Sequence, residues 1–153
     1  MKTLFSTRWG ALLAATLFLL LSARAATAAD PLVTVDWLKA NLGKPGIAIV
    51  DFQPPPDYLR AHIPGAVNSN YAKDGWREER AADKVPDMFP EKLDKLVAHI
   101  GALGVDNNTH VVLVPIGMNS TDVGVATRVY WTFKVLGHDN VSILDGGMAA
   151  WTK

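Results

Sequence analysis

The 153-residue chain contains no cysteine. This absence excludes disulfide bonds, lipid attachment to an amino-terminal cysteine, and any mechanism that needs a thiolate nucleophile. A domain built from this chain must therefore be stabilised by an apolar core, and its 49% content of hydrophobic residues is sufficient to form one.

The sequence also lacks an apolar run of the length expected for a transmembrane helix. The run at residues 10–21 has about 12 residues, whereas a membrane-spanning helix needs roughly 20. Lys2 and Arg8 precede this run, and residues 26–28 (ATA) form a small-x-small cleavage site. We therefore predict a signal peptide over residues 1–28 and export to a periplasm, with an uncleaved amino-terminal anchor as the alternative.

An excess of charge of one sign is absent as well. Loss of Lys2, Arg8 and Arg24 with the signal peptide leaves 12 basic and 15 acidic residues, a net charge of about minus three. This balance provides no basic patch for nucleic acid or for an anionic membrane surface. The remaining segment, residues 29–153, contains no predicted membrane span and has the size of one domain with a single core.

Short apolar blocks alternate with blocks of helical periodicity along this segment. Strands are predicted at residues 47–52, 66–68, 110–114 and 141–144, and helices at 35–42, 58–61, 90–100, 123–136 and from 147 onward. This alternation predicts a parallel sheet with helices on both faces. Residues 69–89 show no sustained period, and we expect irregular chain there with a helical turn near 76–82. The last helix would be very short, so we expect it to be truncated and the chain to be the front part of a longer protein.

Five stretches of the sequence together match the pattern of a known family. They are residues 33–43 (VTVDWLKANLG), 47–52 (IAIVDF), 57–68 (DYLRAHIPGAVN), 130–147 (YWTFKVLGHDNVSILDGG) and 149–151 (AAW). In this order and at this spacing they resemble a rhodanese domain, and more specifically the amino-terminal half of a tandem thiosulfate or 3-mercaptopyruvate sulfurtransferase. The resemblance implies an α/β fold with an open, mainly parallel sheet and helices on both faces.

The residues that carry these motifs are expected to be mainly structural. They are Asp51, Arg60, His62, Pro64, Gly65, Asp145, Gly146, Gly147 and Trp151. The Pro-Gly pair lets the chain leave a helix and re-enter the sheet within a few residues, and the Gly-Gly pair allows a corner that a side chain would block. His62 could be read as an acid or base, but we expect it to make a structural hydrogen bond.

The resemblance also implies where a reactive cysteine would lie. In a working rhodanese it follows the fourth core strand, in a loop whose backbone amides and following helix stabilise the thiolate and the persulfide. The equivalent loop here consists of Pro115, Ile116, Gly117, Met118, Asn119, Ser120, Thr121 and Asp122. Pro115 or Ile116 is nearest the cysteine position, Met118 is a thioether that cannot form a persulfide, and Asp122 brings a negative charge close to the anion position. We therefore predict a degenerate active-site loop with no catalytic residue.

Other candidate residues do not favour a second chemistry. Gln53 stands where many family members have arginine, which weakens the case for an anionic substrate on this face. Ser120 or Thr121 is expected to cap the following helix, because the sequence has no G-x-S-x-G elbow and no carboxylate-histidine pair spaced for a triad. The four histidines lie on separate predicted elements, so neither a metal site nor a cofactor is predicted.

Two tryptophans carry specific expectations. Trp76, with Arg77 and Arg80, is predicted to lie either in a simple surface loop or at a contact with a partner domain or an anion. Trp131 is predicted to face the sheet from its helix, where a role in the core is the default.

Two functions remain open from the sequence. The first is the non-catalytic amino-terminal domain of an exported sulfurtransferase whose partner is a second, cysteine-bearing rhodanese domain downstream of Lys153. The second is a stand-alone rhodanese-like binding module without turnover. Both predict that the chain alone transfers no sulfur, because neither provides a thiol.

Overall fold

The structure, a computed structural model, describes residues 28–80, 82 and 85–153. Nearly all of the predicted signal peptide therefore lies outside the described residues. The strands of the described part are β1 (Leu32–Val33), β2 (Ile47–Asp51), β3 (Ala66–Asn68), β4 (Glu78–Arg80), β5 (Val85–Met88), β6 (His110–Val114) and β7 (Val141–Leu144). Its helices are α1 (Val35–Asn41), α2 (Pro55–Arg60), α3 (Asp94–Ala102), α4 (Ser120–Val135) and α5 (Gly147–Trp151).

Five of these strands form the main sheet, and all of its pairings are parallel. The strand order is β1-β7-β6-β2-β3, so that β6 and β7 lie near the middle. Their sequences, HVVLV and VSIL, are nearly continuous apolar runs, as expected for strands covered on both faces. The predicted α/β fold with an open parallel sheet is confirmed.

Helices cover both faces of this sheet and divide the core into two layers. On one face, α3 and α4 pack Leu96, Val129 and Phe133 against side chains of the central strands. On the other face, Leu38 of α1 and Met148 of α5 join the opposite set of strand side chains. The alternation of side chains along each strand therefore supplies both layers from the same short segments.

The segment between β3 and α3 differs from its prediction. In place of a helical turn near residues 76–82, β4 and β5 form an antiparallel pair. Both readings of Trp76 are wrong, because its side chain is fully buried in the core. The indole N–H donates to Ser69 Oγ at 2.8 Å and the ring packs near Phe52 and Phe133, so a local polar partner permits a buried tryptophan in an otherwise irregular segment.

Two helix predictions also need correction. The third helix begins at Asp94 rather than at Pro90. The side chain of Trp131 points away from the sheet and is 44% exposed, because Ala126, Val129 and Phe133 define the buried side of α4. Among the described residues, no helix is long and apolar enough to cross a membrane.

Candidate functional site: the loop after strand β6

The predicted loop, residues 115–122, lies at the carboxyl edge of the main sheet. It leaves β6 after Val114, whose carbonyl accepts the backbone N–H of Phe52 at 3.1 Å, and it leads into α4. Because all strands of this sheet are parallel, the loops that follow β2, β3 and β7 leave from the same edge. This edge is where open α/β sheets bind their ligands.

Close backbone contacts hold this loop against the corner between β7 and α5. The N–H groups of Met148 and Ala149 donate to the carbonyls of Pro115 and Ile116 at 2.9 and 3.0 Å. A Cβ atom added at Gly117 would lie 2.2 Å from the carbonyl oxygen of Gly146, with φ already positive at 83°. The backbone of the loop therefore contacts the backbone of the corner directly, and this contact requires glycine at position 117.

The Gly-Gly pair meets the same requirement from the other side of this contact. A Cβ atom at Gly147 would lie 2.2 Å from the carbonyl oxygen of Pro115, and Gly146 also has a positive φ of 70°. Without side chains, Gly146 and Gly147 let the corner come within hydrogen-bonding distance of the loop. This close backbone contact is a structural reason for the double-glycine motif.

The side chains of Asn119 and Asp122 accept hydrogen bonds from backbone N–H groups at the start of α4. The Asn119 side-chain oxygen accepts the N–H of Asp122 at 3.1 Å, and the Asp122 carboxylate accepts the N–H groups of Asn119 and Met118 at 3.2 and 3.0 Å. This arrangement is a capping box, with Asn119 as the N-cap. The prediction that Ser120 or Thr121 caps the helix is therefore wrong. An asparagine followed three residues later by an acidic residue was the sequence signal for it.

Sulfur is present in this loop only as the thioether of Met118, whose side chain is exposed. Pro115 is buried beneath the corner, and Ile116 and Gly117 are half-buried. Asn119, Ser120 and Thr121 are exposed at the start of the helix. The loop thus provides an exposed surface and backbone contacts, and the amide groups of Met118 and Asn119 point to the chain's own carboxylate.

Asp51 forms a second polar centre, at the end of β2. Its carboxylate is fully buried and accepts the backbone N–H of Gln53 at 2.8 Å and the Gln53 side-chain amide at 3.0 Å. Burial raises the pKa of Asp51, while the two Gln53 hydrogen bonds and the charge of His62 act in the opposite direction. The Gln53 amide also donates to the carbonyl of Ala61, which ties β2 to the end of α2.

The motif around α2 is held by local contacts. His62 Nδ1 lies 2.9 Å from the Tyr58 carbonyl oxygen, and its ring stacks on Tyr58 with centroids 4.2 Å apart. Arg60 pairs with Asp57 at 3.1 Å on the surface. Gly65 follows Pro64 with a positive φ of 80°, which turns the chain into β3. These placements anchor the turn.

The motif residues after β7 also have contacts that the fold explains. The backbone N–H of Asp145 donates to the Val33 carbonyl of the edge strand β1 at 2.9 Å. The ring of Trp151 is half-buried, and the Lys39 ammonium group lies 5.5 Å from its centroid. Both contacts join the end of the described chain to its first elements.

The histidines of the described part are distributed over separate hydrogen bonds. His99 Nε2 lies 2.9 Å from Ser69 Oγ, His110 Nε2 lies 2.8 Å from Ser142 Oγ, and His138 Nε2 lies 2.9 Å from the Thr109 carbonyl. Within the described ranges, no group of three histidine or acidic side chains is placed to hold a metal ion.

The parallel sheet, the loop after β6 and the double-glycine corner together define the class of protein. A model of the Rhodanese-like domain family matches residues 34–153, and the chain belongs to this family. The chain is 34% identical over 139 residues to the mitochondrial thiosulfate/3-mercaptopyruvate sulfurtransferase 1 of Arabidopsis thaliana, covering 85% of this chain and 34% of that protein. It is 34% identical over 136 residues to the thiosulfate sulfurtransferase of Bos taurus, covering 80% of this chain and 43% of that protein.

A solved structure supports the same family. The 3-mercaptopyruvate sulfotransferase of Escherichia coli superposes with a TM-score of 0.63 at 26% identity, covering 81% of this chain and 48% of the other. The chain therefore spans between a third and a half of the length of these relatives. Homology to sulfurtransferases agrees with the resemblance inferred from the motifs.

Proposed function

We propose that this chain is the non-catalytic amino-terminal rhodanese domain of an exported sulfurtransferase of the thiosulfate or mercaptopyruvate type. Its role is to support a second domain that bears the reactive cysteine. One observation carries the proposal: the loop equivalent to the active-site loop has no thiol, and its Met118 and Asn119 amides donate to Asp122.

The chemistry of sulfur transfer explains why this observation matters. A thiolate attacks the outer sulfur of the donor, the bond between that sulfur and the rest of the donor breaks, and the rest of the donor leaves. A second nucleophile then takes up the outer sulfur of the resulting persulfide, and the thiolate is released again. A thioether sulfur such as that of Met118 has two carbon substituents and no proton to lose, so it cannot carry this intermediate. The amides that would stabilise the anion also have an internal acceptor in Asp122.

The relatives support the second half of the proposal. Their names describe sulfurtransferases, and this chain accounts for 34% and 43% of the lengths of the plant and bovine proteins. A domain without a thiol can contribute to such an enzyme by packing beside the reactive domain and forming one wall of its substrate cleft. The rigid loop-to-corner contact at the carboxyl edge, with its paired glycines, is suited to that role.

An assay of the complete gene product tests this proposal. We expect thiosulfate-to-cyanide or mercaptopyruvate-to-cyanide sulfur transfer that is lost when the cysteine of the second domain is replaced by serine. The matched control, Ser120→Ala in this domain, should retain activity because Ser120 is an exposed residue at the start of α4 that takes no part in transfer. Turnover by residues 29–153 alone would overturn the proposal. A reading frame without a cysteine-bearing domain would instead favour a stand-alone binding module.

Export is tested separately from activity. We expect the protein to be recovered from the periplasmic fraction with a mature amino terminus at Ala29, because residues 1–28 have the pattern of a signal peptide. Intact mass measurement and amino-terminal sequencing give the result. A membrane-bound product that retains Met1 would show that the segment is an anchor.

A further inference from the structure

The outer side of α4 carries an unusual line of apolar side chains. Val123, Thr127, Trp131 and Val135 follow each other at intervals of four residues, so they lie along one side of the helix. Val123, Trp131 and Val135 are 45%, 44% and 51% exposed, and Met118 in the preceding loop is 75% exposed. We name Met118, Val123, Thr127, Trp131 and Val135 the α4 strip.

The polar side chains next to the strip contact other groups of this chain. The Thr127 hydroxyl lies 3.0 Å from the carbonyl oxygens of both Val123 and Gly124, so its hydrogen bonding is to its own helix and its methyl group can face outward. The Arg128 guanidinium lies 4.6 Å from the Trp131 ring centroid, and Lys134 bonds Asp139 at 2.9 Å. The five residues of the strip are uncharged, and the Arg128 guanidinium is the charged group that lies against it, at Trp131.

The geometry points to the α4 strip as the docking surface for the second rhodanese domain of the same polypeptide. This inference rests on the proposed function, since it names the surface through which the two domains would contact each other. The strip includes Met118, which lies in the degenerate loop, so a domain seated on it would approach the carboxyl edge of the sheet.

The size of the strip favours a covalently linked occupant over a separate molecule. A stable interface between independent proteins uses about 20–30 residues on each side, whereas the strip has five. Domains joined in one chain need a smaller contact, because the linker supplies an effective concentration in the millimolar range and the cost of bringing two molecules together is already met. The length of the relatives, of which this chain is 34–43%, leaves room for such a domain.

The test uses the complete gene product and hydroxyl-radical oxidation of Trp131 and Met118. We expect both side chains to be protected in the wild-type protein. The double variant Val123→Lys/Val135→Lys should remove that protection, because it places two charges in the apolar contact while changing only exposed positions. Trp131→Ala is expected to increase proteolytic cleavage between the domains by about 30-fold, the factor that corresponds to the loss of a central interface tryptophan.

Val67→Lys provides the matched control. Val67 is 41% exposed, a fraction similar to the 45% of Val123, but it lies on the edge strand β3 and outside the α4 strip. This variant should keep Trp131 and Met118 protected and leave interdomain proteolysis at the wild-type rate. Because Trp131 also contacts Phe89, circular dichroism of each variant must first show the wild-type fold, and the lysine variants keep the test valid if Trp131→Ala unfolds.

Three results would overturn the inference in distinguishable ways. If the gene product has a cysteine-bearing domain and transfers sulfur, but its Trp131 oxidises as fast as in the double lysine variant, the docking surface is wrong and the proposed function stands. Protection that disappears on dilution would identify a second copy as the occupant. If no second domain exists, the proposed function and this inference both fail.

Discussion

Asn119 and Asp122 hydrogen-bond to each other in both directions across the first turn of α4. The side chain of Asn119 accepts the N–H of Asp122 at 3.1 Å, and the carboxylate of Asp122 accepts the N–H of Asn119 at 3.2 Å. The same carboxylate also accepts the N–H of Met118. These amides belong to the loop that is expected to stabilise an anion in a working rhodanese. Two features separate it from such a loop, namely the missing thiol and the negative charge of Asp122.

Introducing a thiol alone should therefore not create a reactive loop. We expect the Ile116→Cys thiol to react with iodoacetamide no faster than an unactivated cysteine, with a pKa at or above the ordinary value of about 8.5, because the negative charge of Asp122 is retained. In Ile116→Cys/Asp122→Ala, the thiol pKa should fall, because the amides of Met118 and Asn119 become free and the nearby negative charge is removed. The pH dependence of the alkylation rate measures both values.

The control for this prediction removes a carboxylate at the other end of the helix. The helix is about 24 Å long at 1.5 Å per residue, and Asp139 follows its carboxyl end. Ile116→Cys/Asp139→Ala should keep the pKa of the single variant. If both double variants lower the thiol pKa equally, the effect is not specific to Asp122.

The contact between Gly117 and Gly146 should make the loop glycine intolerant of a side chain. Gly117→Ala places a Cβ atom 2.2 Å from the carbonyl oxygen of Gly146 at a positive φ, so we expect a loss of more than about 2 kcal/mol in the free energy of unfolding. Gly124→Ala, inside α4 and with open space around the added atom, should instead stabilise the chain by about 0.5–1 kcal/mol. Urea unfolding of the two variants compares them, and equal effects would contradict the contact.

Ser69 should be more important for stability than its size suggests. Its hydroxyl accepts the indole N–H of Trp76 at 2.8 Å and lies within hydrogen-bonding distance of Asp74 and His99. Ser69→Ala leaves the buried indole N–H without this acceptor, so we expect a loss of about 1–3 kcal/mol in unfolding free energy. The exposed Ser120→Ala should change it by no more than about 0.5 kcal/mol. Thermal unfolding of both variants, followed by tryptophan fluorescence, gives the comparison.

Stability should fall in acid partly because of His110. Burial, with a smaller contribution from the charge of His138, lowers the pKa of His110 in the folded chain. The unfolded value is about 6.5, so this residue's contribution to stability is complete above that pH and is lost as the pH falls through the lower folded pKa. His110→Gln, which can still donate to Ser142, should therefore lose less stability between about pH 7 and about pH 5 than the wild type does.

A substitution that removes no titratable group serves as the control for this pH dependence. Ser120→Ala, at an exposed position at the start of α4, should show the same loss of unfolding free energy between the two pH values as the wild type. Denaturant unfolding at each pH provides the values. An unchanged pH dependence in His110→Gln would show that another group is responsible.

Local sequence signals predicted much of the main sheet. The bounds of β3, β6 and β7 agree with the predictions, and β2 differs by one residue. These strands are short runs of branched apolar residues between turn residues, and both signals are contained within a few positions. The edge strand β1 was not predicted, because it has only two residues and forms through pairing with β7 more than 100 residues later.

The sequence also predicted the position of the candidate loop, but it did not predict the contacts of that loop. Its place after β6 followed from the order of the motifs, whereas the meeting of Gly117 with Gly146 depends on how the β7 corner packs. Trp76 was expected at the surface and is buried, whereas Trp131 was expected in the core and is exposed, and the reason is similar. The burial of each depends on which neighbours cover it. Ser69, Phe52 and Phe133 surround Trp76, whereas Ala126, Val129 and Phe133 form the buried side of α4 and leave Trp131 outside.

The amino-acid sequence alone established that this chain has no thiol. The order and spacing of its motifs along the chain also predicted a rhodanese domain. No packing can add a sulfur nucleophile that the covalent structure lacks, so that conclusion needed no coordinates. Only the tertiary structure decided which backbone atoms meet across the loop and which side of α4 remains uncovered. Those features come from contacts between residues far apart in the chain, and short-range periodicity carries no information about them.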